Sequence, residues 1–310
     1  MAADVSSTSG AGAGGRPLAG HRVAVVGTGR MGAAMAGRLA AAGARLTLWN
    51  RTAARAQVVA TGLGAAVAPS PRAATERAEV VLVSLADDDA VAAAYAGEDG
   101  LVAGLRDDVV VLEASTVSPG TVRRLAPAVA ERGGTLLDAP VSGSVSVAEA
   151  GRLTFMVGGP AAALERVRPV LDVVGAAVFH LGAAGAGATM KLVVNAVLLG
   201  LNQAVAEGLV LAERAGLDRA AAYEVLAAGA VGAPFVQYKR EAYLHPGDAA
   251  VAFTLELVVK DLGLAADLAA EVGARVEQLA TNRRVAAEAV AAGLGSADLS
   301  AVAEHLRRPG

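Results

Sequence analysis

The chain has 310 residues, room for about two domains, and is 54% hydrophobic but only 3% aromatic, so its core must be built from Ala, Val and Leu. The formal net charge is −3, and basic residues occur in scattered pairs such as Arg123 with Arg124 and Arg283 with Arg284, without the clustering that a nucleic-acid backbone requires. There are no cysteines, which excludes disulfides, Cys–zinc sites and thiol nucleophiles and leads us to expect a reducing, cytoplasmic location.

Residues 1–20 are rich in Ala, Gly and Ser and lack the basic start and apolar core of a signal peptide, so a disordered leader is expected. From residue 22 to about 181, short β-branched runs alternate with Ala-rich helical stretches. Strands are predicted at 23–26, 45–49, 80–84, 109–113, 135–138, 153–157 and 177–180. Their nearly continuous apolar character suits parallel strands covered on both faces. The βαβ alternation predicts an α/β fold with a Rossmann-type doubly wound sheet over 21–184. After 182–185 no strand is predicted, and residues 185–310 are expected to form an all-α domain. Its helices are predicted at 188–214, 219–228, 234–243, 255–272, 275–292 and 297–307, punctuated by Gly216, Gly232, Pro246 and Gly247. The first is a long interdomain helix of about 40 Å. Its most apolar run, 192–201, is interrupted by Asn195 and followed by Asn202 and Gln203, and is too short for a membrane span, so no membrane partner is expected. The wider apolar segment 192–211 exceeds what one small helical domain can bury, so a homodimer or homotetramer through the C-terminal helices is expected.

The motif Gly27-Thr-Gly29-Arg30-Met31-Gly32 follows the first strand and opens a helix, the context of a dinucleotide-binding loop. The first Gly permits the turn, the second lets backbone approach a pyrophosphate, and the third lets helix and strand pack closely. The helix N-terminus offers free N–H groups and a positive dipole end to phosphate. The second strand ends in Asn50, Arg51 and Thr52, where an NAD site usually carries a carboxylate for the ribose hydroxyls. A guanidinium there suits a 2′-phosphate, with Thr52 as a further donor and Arg55 one turn on, so NADP is the expected cofactor and NADPH is preferred over NADH. The alternative is that Arg51 is a surface residue at a helix start and the chain is indifferent. Ser84, at the end of the third strand, is also placed beside the cofactor. Asp87, Asp88 and Asp89 follow that strand and are read as a helix cap in a favourable dipole field rather than as metal ligands. The histidines form no metal-spaced pair, and no metal is expected.

Four blocks in order and spacing carry a resemblance over about residues 22–306. They are the glycine loop 27–32, Asp138-Ala-Pro-Val-Ser-Gly-Ser144, Gly185-Ala-Gly-Ala-Thr-Met-Lys-Leu-Val-Val-Asn195, and Lys260-Asp261-Leu-Gly-Leu-Ala265. Together they resemble the β-hydroxyacid dehydrogenase family, which includes 3-hydroxyisobutyrate dehydrogenases, tartronate semialdehyde reductases and glyoxylate/succinic semialdehyde reductases. The pattern of Trp49 to Thr52 and of Ser142 to Ser144 is most similar to the last branch, although Ser144 stands where many members have a second Gly. The resemblance implies that Lys191 protonates the carbonyl oxygen as hydride arrives from nicotinamide, with Asn195 one helical turn later holding substrate or orienting Lys191. From the residues alone, Lys191 reads equally as a lysine snorkelling at a helix start. Ser142, Gly143 and Ser144 are implied to bind a substrate carboxylate, and Thr116, after Ser115, to lie beside nicotinamide and substrate. Phe253 is implied to border the substrate, or is a helix core residue. Lys260 is implied to touch cofactor, and Asp261 to touch substrate or Lys191.

The expected activity is NADPH-dependent reduction of a small carboxylate-bearing aldehyde or keto acid, of semialdehyde or glyoxylate type, to the hydroxy acid. The alternatives are a 3-hydroxyisobutyrate-type dehydrogenase running oxidatively, an imine reductase-like enzyme, and a non-catalytic NADPH-binding scaffold.

Overall fold

The computed structural model of the protein describes residues 5–7 and 16–308. Residues 1–4 and 8–15 of the expected leader lie outside the described residues. The chain divides into two compact units, Met1–Lys191 and Leu192–Gly310.

The first unit contains ten strands and seven complete helices among the described residues. In chain order they are β1 (Val5–Ser7), β2 (Arg22–Val26), α1 (Arg30–Ala41), β3 (Arg45–Trp49), α2 (Ala53–Leu63), β4 (Ala66–Val67), α3 (Pro71–Thr75), β5 (Val80–Val83) and α4 (Asp88–Tyr95). There follow β6 (Val110–Glu113), α5 (Pro119–Ala130), β7 (Thr135–Asp138), β8 (Val141–Ser142), α6 (Val145–Glu149), β9 (Leu153–Gly158), α7 (Ala161–Val174) and β10 (Gly175–Gly182). The sheet runs β1-β10-β9-β7-β6-β5-β2-β3-β4, with β8 paired to β9. From β4 to β7 every neighbour is parallel. The order reverses at β2, so the chain winds outward in both directions from the β2–β5 pair, where ligands of such sheets bind.

Both faces of this sheet are covered, as the apolar runs required. Val23 and Val25 pack into one core cluster and Ala24 and Val26 into the other. Leu82 and Leu112 join the first, and Val81, Val83 and Val111 the second. The same two-sided burial conceals strand direction. Strands β9 and β10 are parallel to each other, but β9 runs antiparallel to β7, which the continuous apolar runs could not signal. The unit also starts before residue 21: Leu18 is fully buried in the first cluster, and its N–H donates to the carbonyl of Ala42 at 3.0 Å.

The long helix α8 (Ala186–Arg214) begins in the first unit and continues into the second. The second unit adds α9 (Arg219–Ala228), α10 (Pro234–Tyr238), α11 (Arg240–Leu244), α12 (Leu255–Val272), α13 (Glu277–Ala289) and α14 (Val302–Arg307). Asp218 caps α9 and Thr254 caps α12, each accepting the N–H three residues on, and Gly273 in the left-handed region (φ +69°) ends α12. The helix predicted at 234–243 is broken at Lys239, whose side chain turns inward to a buried carboxylate. The stretch predicted at 275–292 ends in a π turn at Val290–Leu294, where Gly293 adopts φ +88°.

Taken over 29 residues, α8 meets the length and composition of a membrane span, which the interrupted run 192–201 does not. One face of it packs into a core. Leu192, Leu199, Val205, Ala206 and Leu209 enter the second unit's core. Buried Asn202 donates to the Leu299 carbonyl, and buried Gln203 to Glu207. Val197 and Leu211 are left exposed on the other side.

Candidate active site

The glycine loop turns from the C-terminal end of β2 into α1 at the point where the sheet order reverses. Gly27 has φ +103°, and a Cβ there would lie 2.1 Å from the Ser84 carbonyl oxygen. A Cβ on Gly32 would lie 2.1 Å from the Gly27 carbonyl oxygen, so both glycines are demanded by the close contact of loop, helix and β5. Gly29 is different: a Cβ there would meet nothing within 4 Å. It is the N-cap of α1, with no side-chain cap and no acidic residue in the first turn. The N–H groups of that turn are thus left for an external acceptor. The Thr28 hydroxyl is also buried without a hydrogen-bond partner among the described residues. An open, uncapped helix start and an orphaned hydroxyl fit a dinucleotide pyrophosphate.

Asn50 braces this loop. Its Oδ1 accepts the Thr28 N–H at 3.1 Å and its Nδ2 donates to the Thr52 carbonyl at 3.1 Å. Its amide is therefore spent on shape, and Arg51, Thr52 and Arg55 are the exposed groups at this corner. Arg30 is exposed at the start of α1, while Met31 packs on the core. Ser84 is half-buried beneath Gly27 and Gly32.

The next two strands end in carboxyl groups given no role from the sequence, although Asp138 opens one of the four blocks. Glu113 ends β6, and its register partner Asp138 ends β7. Both are fully buried. Glu113 accepts the Tyr95 hydroxyl at 2.8 Å and the Ser115 N–H at 2.9 Å. Burial pushes its carboxyl up to about 7; bonds from Ser115 and Tyr95 oppose the rise, and the Asp138 charge adds to it. Ser115 Oγ accepts the Leu85 N–H at 2.8 Å, tying the end of β5 to that of β6, and Thr116 follows, half-buried. Asp138 is likewise raised by burial, against hydrogen bonds from the backbone at Gly185, Ala188 and Gly187. A charged residue closing an otherwise apolar strand, as in Val-Val-Leu-Glu113 and Thr-Leu-Leu-Asp138, was the available signal.

Beyond β7, Gly143 takes φ +137° between Ser142 in β8 and Ser144 at the start of α6. The Ser144 hydroxyl contacts Ser146 Oγ at 2.8 Å and accepts the Val147 N–H at 3.4 Å, so it already serves as a helix cap. Lys191 lies half-buried on α8, within the first unit. Asp87 caps α4 through the Ala90 N–H at 2.8 Å, and Asp88 accepts the Ser118 N–H at 3.0 Å, structural uses in line with the sequence expectation.

In the second unit, Asn195 Nδ2 donates to Asp261 Oδ2 at 2.6 Å, and Lys260 Nζ pairs with Asp261 Oδ1 at 2.9 Å. Three candidate residues from two helices thus form one network around a buried carboxylate. Phe253 is half-buried on the segment entering α12. That segment is held by Asp298, whose Oδ2 accepts the Ala252 N–H at 2.9 Å while both its oxygens bind Lys239 Nζ, at 2.8 and 2.7 Å. Burial works against the Asp298 charge, but the bonds from Lys239, Ser300 and Ala252 hold its carboxyl below the usual range. Sequence spacing gave no sign of the Lys239–Asp298 pair, whose members are 59 residues apart.

A family model described as the NAD binding domain of 6-phosphogluconate dehydrogenase matches residues 22–182, and one described as NAD-binding of NADP-dependent 3-hydroxyisobutyrate dehydrogenase matches 185–306. The chain is 33% identical over 288 residues to glyoxylate/succinic semialdehyde reductase 2, chloroplastic, of Arabidopsis thaliana, covering 92% of this chain and 79% of the relative. It is 39% identical over 250 residues to 3-hydroxyisobutyrate dehydrogenase of Pseudomonas aeruginosa, covering 78% and 83%. The solved structure of Mycobacterium tuberculosis 3-hydroxyisobutyrate dehydrogenase with L-serine is similar at a TM-score of 0.81 and 33% identity, over 93% of this chain and 99% of that one. With the glycine loop, the uncapped α1 and the four sequence blocks on one continuous match, the chain belongs to the β-hydroxyacid dehydrogenase family of NAD(P)-dependent oxidoreductases.

Proposed function

We propose that the protein reduces a small aldehyde or keto acid, of semialdehyde or glyoxylate type, to the corresponding hydroxy acid with NADPH. The observation that carries this reading is the shared position of two features in one unit. The loop open at Gly29 and the half-buried Lys191 both belong to the Rossmann unit, and Lys191 stands on a helix whose start is tied to a strand end of the same sheet.

When bound, the nicotinamide supplies the hydride. Lys191 Nζ donates the proton that the carbonyl oxygen needs as it becomes an alcohol, and takes it back in the reverse direction. Ser142, Gly143, Ser144 and Thr116 offer hydroxyl and N–H donors to the substrate carboxylate. On the helical unit, Asn195 and Asp261 are joined by a 2.6 Å bond, and the family resemblance assigns these two and Phe253 to the substrate and Lys260 to the cofactor. Arg51 and Thr52, exposed at the end of β3 where a carboxylate would favour NAD, support the preference for NADPH. The exposed apolar side chains Val197 and Leu211 on α8 support a homodimer or homotetramer built on that helix.

The test is NADPH and NADH oxidation with glyoxylate, succinic semialdehyde, methylmalonate semialdehyde and tartronate semialdehyde, for the wild type and Lys191→Ala. The wild type should turn over at least one substrate with NADPH. Lys191→Ala should lose about 10²- to 10⁴-fold in kcat while keeping its NADPH affinity. Tight NADPH binding with no turnover of any substrate would instead indicate a scaffold protein.

A further inference from the structure

The start of α8 has no cap in its own sequence: Ala184, Gly185 and Ala186 offer no side-chain acceptor. The first N–H groups of a helix need one, and inside a protein an unmet donor is costly. Here the acceptor comes from 47 residues away. Asp138 Oδ1 accepts the Gly185 N–H at 2.9 Å and Oδ2 accepts the Ala188 N–H at 2.8 Å. One carboxylate therefore grips the helix start at two points three residues apart, which fixes both its position along the axis and its rotation.

The fit is close enough to demand glycine on both sides. A Cβ on Gly187 would lie 2.3 Å from the Met156 carbonyl oxygen and 3.0 Å from Asp138 Oδ2. A Cβ on Gly158, the register partner of Asp138 on β9, would lie 2.5 Å from Asp138 Oδ1. Asp138 itself is fixed at the end of β7, between β6 and β9. Lys191 follows Ala188 by three residues, about 4.5 Å along the helix axis, and so inherits whatever placement the grip imposes.

We propose that Asp138 is a positioning residue for the reaction: its carboxylate, clamped on the first N–H groups of α8, sets the height and direction at which the helix presents Lys191 to the substrate carbonyl. The proposal rests on the reading of Lys191 as proton donor. Asp138 reaches no reacting atom and acts through the helix alone. Proton transfer depends steeply on geometry, so a shift of α8 by an ångström lowers turnover without touching the cofactor loop.

The test is a double-mutant cycle on the full chain with Asp138→Asn, Lys191→Ala and the pair. Asp138→Asn keeps the shape but turns an N–H₂ group toward one of the two helix N–H donors. In the Lys191-containing protein it should lower kcat on the order of 10- to 100-fold, with NADPH affinity unchanged. In the Lys191→Ala background it should cause no further loss. Gly187→Ala, which leaves the carboxylate but pushes the helix start away from β9, should show the same kcat loss and the same dependence on Lys191. Equal losses in both backgrounds, or a fall in NADPH affinity as large as that in kcat, would overturn the positioning role and leave Asp138 a fold residue. Unimpaired turnover by Lys191→Ala alone would instead remove the proton-donor reading, so the two failures are distinct.

Discussion

Replacing Asp298 by Ala should destabilise the helical unit far more than replacing its partner. Lys239 and Asp298 are both buried, with Nζ 2.8 and 2.7 Å from the two carboxylate oxygens. The same carboxylate accepts the Ala252 N–H at 2.9 Å, the Ser300 N–H at 3.1 Å and the Ser300 hydroxyl at 3.0 Å. Asp298→Ala thus leaves a buried ammonium with no counter-charge and several donors unmet, a loss of about 3–5 kcal/mol. Lys239→Met removes the ammonium but leaves the carboxylate its N–H and O–H donors, so the loss should be about 1–3 kcal/mol. Against a typical total of about 5–15 kcal/mol, the first variant approaches the folding threshold and the second does not. Urea unfolding of both variants and of the double variant reads these values. The Phe253 segment gives a local readout: Asp298→Ala should raise the KM for the carbonyl acid more than that for NADPH. A carboxyl held below its ordinary value stabilises the fold above the unfolded pKa, about 3.9, and that contribution is lost as pH falls through the folded value. Wild type should therefore lose its advantage over Asp298→Ala only in strong acid. A loss under about 1 kcal/mol for Asp298→Ala, or an equal loss for Lys239→Met, would refute the reasoning.

Arg51→Asp should raise the KM for NADPH by about 10- to 100-fold and leave that for NADH nearly unchanged, because a carboxylate repels a 2′-phosphate but accepts ribose hydroxyls; an unchanged NADPH KM sinks the assignment. Glu113, raised from 4.5 to about 7, holds more protons folded than unfolded across that window, so it makes wild-type stability fall as pH rises through it. Glu113→Gln abolishes this dependence, and the unfolding free energy read from urea titrations should shift in the variant's favour from about pH 5 to about pH 8, by an amount on the order of 3 kcal/mol; parallel pH profiles would remove the claim. Val197 is 71% exposed, so Val197→Asp should lower the mass seen by light scattering at micromolar concentration without unfolding the protomer; a monomeric wild type would exclude the α8 interface.

Local pattern was enough for much of this protein. The runs at 45–49 and 135–138 are strands with the predicted bounds, and 219–228 and 255–272 are helices with the predicted bounds. Strand period, caps and glycine punctuation act over a few residues, so they can be read in order along the chain. The glycine loop belongs to the same class, because its turn and its helix start lie within a few residues, but the bracing of Thr28 by Asn50, expected to touch cofactor, is a contact only the fold shows. Tertiary structure decided what depends on partners distant in sequence. Direction along β9 was hidden because a strand covered on both faces looks the same read either way. Asp138 gained its place at the start of α8, and Lys239 its place on Asp298, only when the chain brought groups 50 and 59 residues apart into contact. A lone acid or lysine carries no mark of its partner. What makes it a clamp or a buried ion pair is the removal of water around both groups at once, and that happens only in the folded molecule.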